Sequence, residues 1–243
     1  MRYSHTTSRS HSHSLRLGRL ISALLFLFAM LWLSSRLSYA LADNAAPTVT
    51  GDPMATVKSG IGQAIAVFQN QQMPLAQRRQ TLRTLAGQYF DFAMMSRSVL
   101  GYHWSSLTDE QRAQFVPIFT GFIEDAYLSK LQDYTVHQVQ RELQTARIGY
   151  VGENFDGPDY AQVFTTVSLS DQAKPIEVSY YLARTDGSWK VYDLSIESIS
   201  VIANFRNQFN RVINNAGYDT LLADLRAKQQ RLQQDLDHPQ APS

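Results

Sequence analysis

From residue 52 to about residue 101, apolar positions recur at the spacing of amphipathic helices. Asp52-Pro53 is typical of a helix start, because an N-cap acceptor is followed by proline at the first helical position. A second helix is predicted to open at Pro74, and a short third one to run from Asp91 to Leu100 and close at Gly101. The predicted inward positions of the first two helices are Val57, Ile61, Ala64, Ile65, Phe68, Leu75, Leu82, Leu85 and Ala86.

The strongest helix signal begins at Thr108, where Thr108-x-x-Gln111 forms a capping box. The apolar face that follows is unusually aromatic and consists of Phe115, Ile118, Phe119, Phe122, Ile123, Ala126, Tyr127 and Leu131. Pro117 lies well inside this helix, where it removes a backbone hydrogen bond and predicts a kink of the axis.

Beyond Asp133 the period of the apolar positions changes to two residues, which is the period of strands. Residues 163–169 and 176–182 alternate in this way, and Asp186-Gly187 predicts a tight hairpin after the second run. With a weaker strand around Glu142 to Gly152, the pattern predicts an antiparallel meander of about four strands.

Two further helices are predicted after the strands. One runs from about Ser200 to Gly217, and the other from Asp219 to about Leu232, with residues 233–243 as a disordered tail. Helices therefore precede and follow the sheet, which is the α+β arrangement. We expect a single domain over residues 52–232, in which helices from both sides cover one face of the sheet and an apolar cavity lies between.

The N-terminal segment has the three-part layout of a secretory signal. Arg16 and Arg19 precede an apolar run from Leu20 to Leu33, and the small-residue stretch Ser38-Tyr39-Ala40-Leu41-Ala42 follows it. The run is shorter than the roughly 20 residues that cross a bilayer, so cleavage near Ala40 or Ala42 is predicted. Residues 1–42 are then a signal peptide and residues 43–51 a flexible leader. The alternative is an uncleaved signal anchor.

Removal of the signal changes the charge balance. Residues 1–42 hold five of the 22 Lys+Arg and none of the 21 Asp+Glu, so 17 basic residues face 21 acidic ones in the mature chain. No stripe of Lys and Arg interleaved with aromatic residues remains, and nucleic acid is not an expected partner. The absence of cysteine excludes disulfides and thiol chemistry, and favours the periplasm of a Gram-negative bacterium over an animal secretory route.

The mature chain offers few groups for catalysis. It has three histidines, His103, His137 and His238, and lacks the serine-hydrolase elbow, the zinc helix and the phosphate-binding loop. No metal site or cofactor is predicted. Asp193 in the last strand is the one candidate acid or base, and it could equally cap a neighbouring backbone or pair with Arg206.

The remaining candidate for function is apolar surface between the helices and the sheet. Eight residues are predicted to face this space, and they are Phe115, Phe119, Phe122, Val163, Val178, Tyr180, Phe205 and Phe209. Each alone is typical of an ordinary core, and together they could line a cavity. Periodicity does not distinguish a filled core from a hollow one.

Two separated stretches of the chain resemble the MlaC family, also called the toluene-tolerance family. The first runs from Phe90-Asp91-Phe92-Ala93-Met94 through Leu100-Gly101 and Trp104 to Leu107-Thr108-Asp109-Glu110-Gln111-Arg112 and Phe115. The second comprises Trp189-Lys190-Val191-Tyr192-Asp193-Leu194, Ser200, Asn204-Phe205-Arg206-Asn207-Gln208-Phe209, Gly217-Tyr218-Asp219 and Leu221-Leu222. The resemblance covers nearly the whole mature chain, from about Pro53 to Leu232.

This resemblance implies a periplasmic carrier that shuttles phospholipid between an outer-membrane lipoprotein complex and an inner-membrane ABC transporter. Some relatives are associated with hopanoid metabolism, so a hopanoid is a second candidate cargo. The chain departs from the family at Ser198, where glycine is expected, and at Pro117. Arg206 is predicted to lie near the cavity mouth, with a surface salt bridge as the alternative.

Three functions remain open at this point. The first is a lipid carrier without catalytic activity, and the second is a periplasmic isomerase or hydrolase that uses Asp193. The third is a structural partner of a membrane complex, with a filled core.

Overall fold

A computed structural model describes residues 52–132, 147–169 and 174–237 of the chain. The predicted signal peptide, the leader up to residue 51, His137, His238 and the first part of the predicted strand at 142–146 lie outside the described residues. None of the helices within the described ranges is long and apolar enough to cross a membrane.

The sheet has five antiparallel strands in the order β1-β2-β3-β4-β5. The strands are β1 (Arg147–Asp156), β2 (Tyr160–Ser168), β3 (Ile176–Thr185), β4 (Ser188–Ile196) and the two-residue β5 (Ile199–Ser200). The predicted meander is confirmed, with the short β5 added at one edge. Asp186 and Gly187, at φ 50° and 77°, form the predicted turn between β3 and β4.

A second tight turn joins β4 to β5. Glu197 and Ser198 both have positive φ, 48° and 65°, and Ile196 pairs with Ile199 across them. Ser198 thus occupies a left-handed position that glycine adopts without steric strain, which explains why the MlaC-like pattern predicts glycine there.

Seven helices surround the sheet within the described residues. They are α1 (Pro53–Gln69), α2 (Leu75–Tyr89), α3 (Phe92–Leu100), α4 (His103–Ser106), α5 (Asp109–Gln132), α6 (Val201–Ala216) and α7 (Tyr218–Asp237). The predicted α+β class, with helices from both ends of the chain beside an antiparallel sheet, is confirmed.

Helix α1 starts as predicted and covers the sheet. Asp52 accepts a hydrogen bond from the backbone N–H of Ala55 at 2.5 Å, and Pro53 is the first helical residue. Ile61, Ile65 and Phe68 are buried and pack with the apolar face of the strands. Burying each such side chain contributes about 1.5–3 kcal/mol, so this stripe fixes α1 on the sheet.

Helix α5 begins with the predicted capping box. The Gln111 N–H donates to Thr108 Oγ1 at 3.2 Å, and the Thr108 N–H donates to Gln111 Oε1 at 2.9 Å. The helix continues through Pro117 to Gln132, and a kink at the proline stays a prediction. Phe115 and Phe119 are fully buried among residues of α3, α6 and α7, in a second core that helices mainly build.

Helix α7 extends further than the sequence predicts. It continues to Asp237, five residues past Leu232, and this corrects the predicted start of the tail at residue 233. The reason is packing, because Leu236 is 3% exposed and its carbonyl accepts a hydrogen bond from Arg79 on α2. Residues 238–243 lie outside the described residues.

Candidate functional site

A partly open apolar cavity of about 240 Å³ lies between α1, α2 and α5 on one side and strands β3 and β4 on the other. The residues around it are mainly aliphatic and aromatic. They comprise Thr56, Val57, Gly60, Ile61, Ala64 and Phe68 of α1, Leu82, Arg83, Leu85, Ala86 and Tyr89 of α2, Phe90, Phe92, Met95, Ile123, Glu124, Tyr127 and Leu128, then Tyr180, Val191, Asp193, Leu194 and Val201.

Small residues in the helical stripes create this space. Ala64 on α1 and Ala86 on α2 line the cavity, and larger side chains there would take up part of its volume. At Gly60 the ring of Tyr89 lies 3.1 Å from the place that a Cβ would take, so the missing side chain lets α1 and α2 approach closely. The helix positions that line the cavity are thus still apolar, although several of them carry small side chains.

The strands supply the floor of the cavity. Tyr180 on β3 is 4% exposed and pairs in register with Leu194 on β4, and Val191 lies beside them. Burial raises the pKa of Tyr180 well above its ordinary value, so the phenol stays neutral at physiological pH.

Two charged side chains face each other at the rim. Arg83 on α2 donates from Nη2 to Asp125 Oδ1 at 2.6 Å, and its Nε lies 3.8 Å from Glu124 Oε2 on α5. Burial raises the pKa of Glu124, while the charge of Arg83 acts in the opposite direction and that of Asp125 adds to the rise. Asp125 is almost fully buried and also accepts from Gln233 on α7 at 3.1 Å.

Asp193 lies at the far side of the cavity, and its carboxylate caps helix α6. Its Oδ1 accepts from the N–H groups of Leu194 and Ile202 at 2.8 and 3.1 Å, and its Oδ2 accepts from Ser200 Oγ at 2.6 Å. Burial, and secondarily the charge of Asp193, raises the pKa of Tyr127 to about 12. The capping interpretation of Asp193 is the one that these contacts support.

The sequence model of the MlaC protein family matches residues 58–227, which is more than half of the chain. The chain belongs to the MlaC family. The match includes all the residues of α2 and α5 that line the cavity, four of the six on α1, and the first half of α7.

Two MlaC-related proteins are similar to this chain over most of its length. The intermembrane phospholipid transport system binding protein MlaC of Haemophilus influenzae is 22% identical over 179 residues, which cover 71% of this chain and 80% of that protein. The solved structure of a phospholipid-binding protein from Ralstonia solanacearum, in complex with a phospholipid, superimposes with a TM-score of 0.60 at 22% identity. That match covers 75% of this chain and 99% of the other, and it shows a shared fold.

The predicted acyl-chain residues of this MlaC-family chain fall into three places. Tyr180 lines the cavity. Val163 and Val178 are buried in the core between the sheet and α1. The five phenylalanines Phe115, Phe119, Phe122, Phe205 and Phe209 belong to the helical core, where their rings contact one another at 5.6–6.4 Å between centroids. Contact of these seven side chains with lipid stays a prediction.

Arg206 lies between α6 and α3, away from the residues that line the cavity. Its Nε donates to the carbonyl oxygen of Ser98 at 2.6 Å, and its aliphatic stem lies over Gly101. Asp193 takes its hydrogen bonds from other groups, so the two residues do not pair. A role for Arg206 at the cavity mouth stays a prediction.

Sequence reasoning missed the two charged residues of the rim. Arg83 stands three and seven residues before Ala86 and Phe90, and Glu124 precedes Tyr127 and Leu128 at helical spacing. Each is a charged residue in an otherwise apolar stripe, which is the signal that could have identified them.

Proposed function

We propose that this MlaC-family chain is a carrier that binds phospholipid and holds its acyl chains in the cavity between α1, α2, α5 and the sheet. The observation that carries this proposal is the apolar lining of that cavity, which includes the small residues Ala64 and Ala86. The phospholipid in the related Ralstonia solanacearum structure and the name of the Haemophilus influenzae relative support the same cargo.

The free energy of carrying a phospholipid depends mainly on keeping its hydrocarbon out of water. Each exposed methylene costs about 0.8 kcal/mol, so two bare chains of about 15 carbons would cost on the order of 20 kcal/mol. An apolar pocket removes most of this penalty. Because bilayer and pocket are both apolar, a docking partner need change the balance by only a few kcal/mol to set the direction of transfer.

The size of the cavity implies that its walls move when lipid enters. A cavity of about 150 Å³ holds one benzene ring, so about 240 Å³ has room for on the order of ten carbon atoms. Whole acyl chains need more space than this. Loading therefore requires the walls of the cavity to move apart.

We place this carrier in the periplasm of a Gram-negative bacterium, after cleavage near Ala40 or Ala42. It would receive or deliver phospholipid at an outer-membrane lipoprotein complex and at an inner-membrane ABC transporter. The signal-like N-terminus, the lack of cysteine and membership of the MlaC family support this assignment. No catalytic step is required, since the cargo is moved unchanged.

Co-purified lipid tests the proposal. Residues 43–243, exported with a heterologous signal, should carry phospholipid in stoichiometric amount, detected by native mass spectrometry and identified after denaturation. Ala64→Phe places a ring in the cavity and should lower the lipid occupancy at least fivefold. Ala66→Phe is the matched control, because Ala66 is an exposed residue of the same helix, and it should load normally.

Two outcomes would contradict the carrier. Protein that is free of lipid, and stays free after incubation with vesicles, would instead favour a structural partner with a filled core. Equal occupancy in the Ala64→Phe and Ala66→Phe variants would place the lipid outside this cavity. A hopanoid in place of phospholipid would keep the carrier and change the cargo.

A further inference from the structure

The rim of the cavity presents one cation and one anion from two neighbouring helices. Arg83 projects from α2 and Glu124 from α5, and both belong to the lining. Their side chains are 32% and 18% exposed, so each is partly withdrawn from water. Arg83 and Glu124 are thus the charged residues at the edge of the apolar cavity.

Arg83 retains hydrogen-bond donors for a ligand. Its Nη2 is engaged by Asp125 at 2.6 Å, while Nε and Nη1 donate no hydrogen bond within residues 52–132, 147–169 and 174–237. A guanidinium nitrogen is a charged donor to phosphate oxygens. Arg83 can therefore hold Asp125 with Nη2 and donate to a phosphate oxygen from Nη1.

Glu124 has Arg83 as an ion-pair partner, at a distance too long for a hydrogen bond. Its nearest cation is Arg83 Nε at 3.8 Å, and it accepts no hydrogen bond from the part of the chain that the structure describes. Burial raises the pKa of this carboxyl, which reflects the same deficit of stabilising contacts. A cationic group at the rim would supply both a charge and hydrogen bonds.

From this pair we propose that the cavity selects phospholipids whose headgroup carries a primary ammonium beyond the phosphate. The phosphate accepts a hydrogen bond from Arg83 Nη1, and the ammonium donates to Glu124. The acyl chains occupy the apolar space behind the pair, so the ligand is a lipid. This inference rests on the proposed function.

The charges near the rim explain why a headgroup with a phosphate alone fits less well. Glu124 and its neighbour Asp125 are acidic, as is Asp193 at the far side of the cavity, and Arg83 is the one basic residue among the cavity-lining residues. A phosphate without an ammonium would bind Arg83 and place a new negative charge beside Glu124. A zwitterionic headgroup adds no net charge and gives Glu124 a cation.

A competition between two headgroups tests the inference. The protein is incubated with vesicles that contain equal parts of phosphatidylethanolamine and phosphatidylglycerol with the same acyl chains, and the bound lipid is measured by native mass spectrometry. Both lipids come from one membrane, so vesicle charge does not affect the ratio. We expect at least a fivefold excess of bound phosphatidylethanolamine.

Two variants assign the selectivity to the rim. Glu124→Gln keeps the size of the side chain and should reduce the ratio to about one. Glu177→Gln removes an exposed carboxylate on β3, outside the cavity lining, and should keep the ratio of the parent. Circular dichroism of each variant confirms that it folds.

The possible failures are distinguishable. Equal loading of the two lipids by the parent protein would overturn the headgroup assignment and leave the carrier intact. An excess of phosphatidylethanolamine that persists in Glu124→Gln would overturn the role of the rim pair. Failure to load either lipid would remove the proposed function itself, and this inference with it.

Discussion

Arg83 Nη2 donates a hydrogen bond to Asp125 Oδ1 at 2.6 Å, and this bond joins α2 to α5 at the edge of the cavity. Asp125 also accepts from Gln233, so the same carboxylate ties α7 to the assembly. The side chain of Asp125 is 2% exposed, and a charge so buried requires its partner. The bond therefore opposes any separation of α2 from α5.

Removing the cation should destabilise the protein. Arg83→Met leaves Asp125 as a buried charge held by one amide, and we expect the free energy of unfolding to fall by about 2–3 kcal/mol. Urea denaturation measures the change. The double variant Arg83→Met/Asp125→Asn should recover about half of the loss, because it removes the unpaired charge. A single variant as stable as the parent would show that the pair contributes nothing.

Asp193 is expected to act as a helix cap. Asp193→Ala removes the acceptor of the Ile202 N–H and of Ser200 Oγ, and should lower the free energy of unfolding by about 1–2 kcal/mol. Asp193→Asn should lose less, since it retains one acceptor oxygen. Asp224→Ala, at an exposed position of α7, is the control and should change stability by less than about 0.5 kcal/mol. Equal stability of Asp193→Ala and the control would refute the capping role.

The left-handed turn between β4 and β5 makes an unusual prediction, namely that a glycine stabilises the chain. Ser198→Gly relieves the strain of a φ of 65° and should raise the free energy of unfolding by about 0.5 kcal/mol, net of the added freedom of the unfolded chain. Ser188→Gly, in strand β4, should instead lower it by about 0.5–1 kcal/mol. Thermal unfolding of both variants measures these changes. A loss of stability in Ser198→Gly would show that the backbone of Ser198 is not strained in the parent protein.

The raised pKa of Glu124 predicts how stability depends on pH. The folded state binds this proton more tightly than the unfolded chain does, so the ionised carboxylate is destabilising at neutral pH. That penalty is relieved as pH falls through the folded pKa toward the ordinary value of 4.5. Glu124→Gln should thus be more stable than the parent at pH 7, by about 1 kcal/mol or less.

The pH dependence of the stability of Glu124→Gln tests the direction of this effect. Denaturation at a series of pH values should show the advantage of Glu124→Gln shrinking as pH falls toward 4.5. An advantage that stays constant, or that grows toward acid, would mean that burial does not dominate the environment of Glu124.

The elements that were predicted correctly depend on chemistry between near neighbours in sequence. The capping box at Thr108 and Gln111 and the turn at Asp186-Gly187 need only residues a few positions apart, and both stand as predicted. The end of α7 was misplaced because Leu236 is held by α2, a partner that local pattern does not contain.

The cavity was harder to locate for a related reason. One apolar stripe of α5 serves two purposes, since Phe115 and Phe119 pack against other helices whereas Ile123 and Tyr127 face the cavity. Periodicity is the same in both halves of the helix, and only the position of the neighbours separates them. Arg83 and Glu124 come together across two helices, which no local spacing records.

Cross-linking with a phospholipid that carries a photoreactive diazirine in one acyl chain tests the central claim most directly. The protein is loaded from vesicles, irradiated and digested, and fragmentation mass spectrometry locates the modified residues. The account predicts labels on Ala64, Leu82 and Leu128, which face the cavity from three helices. Labels concentrated on Phe115, Phe119 and Phe209 would place the acyl chains in the helical core and contradict the account.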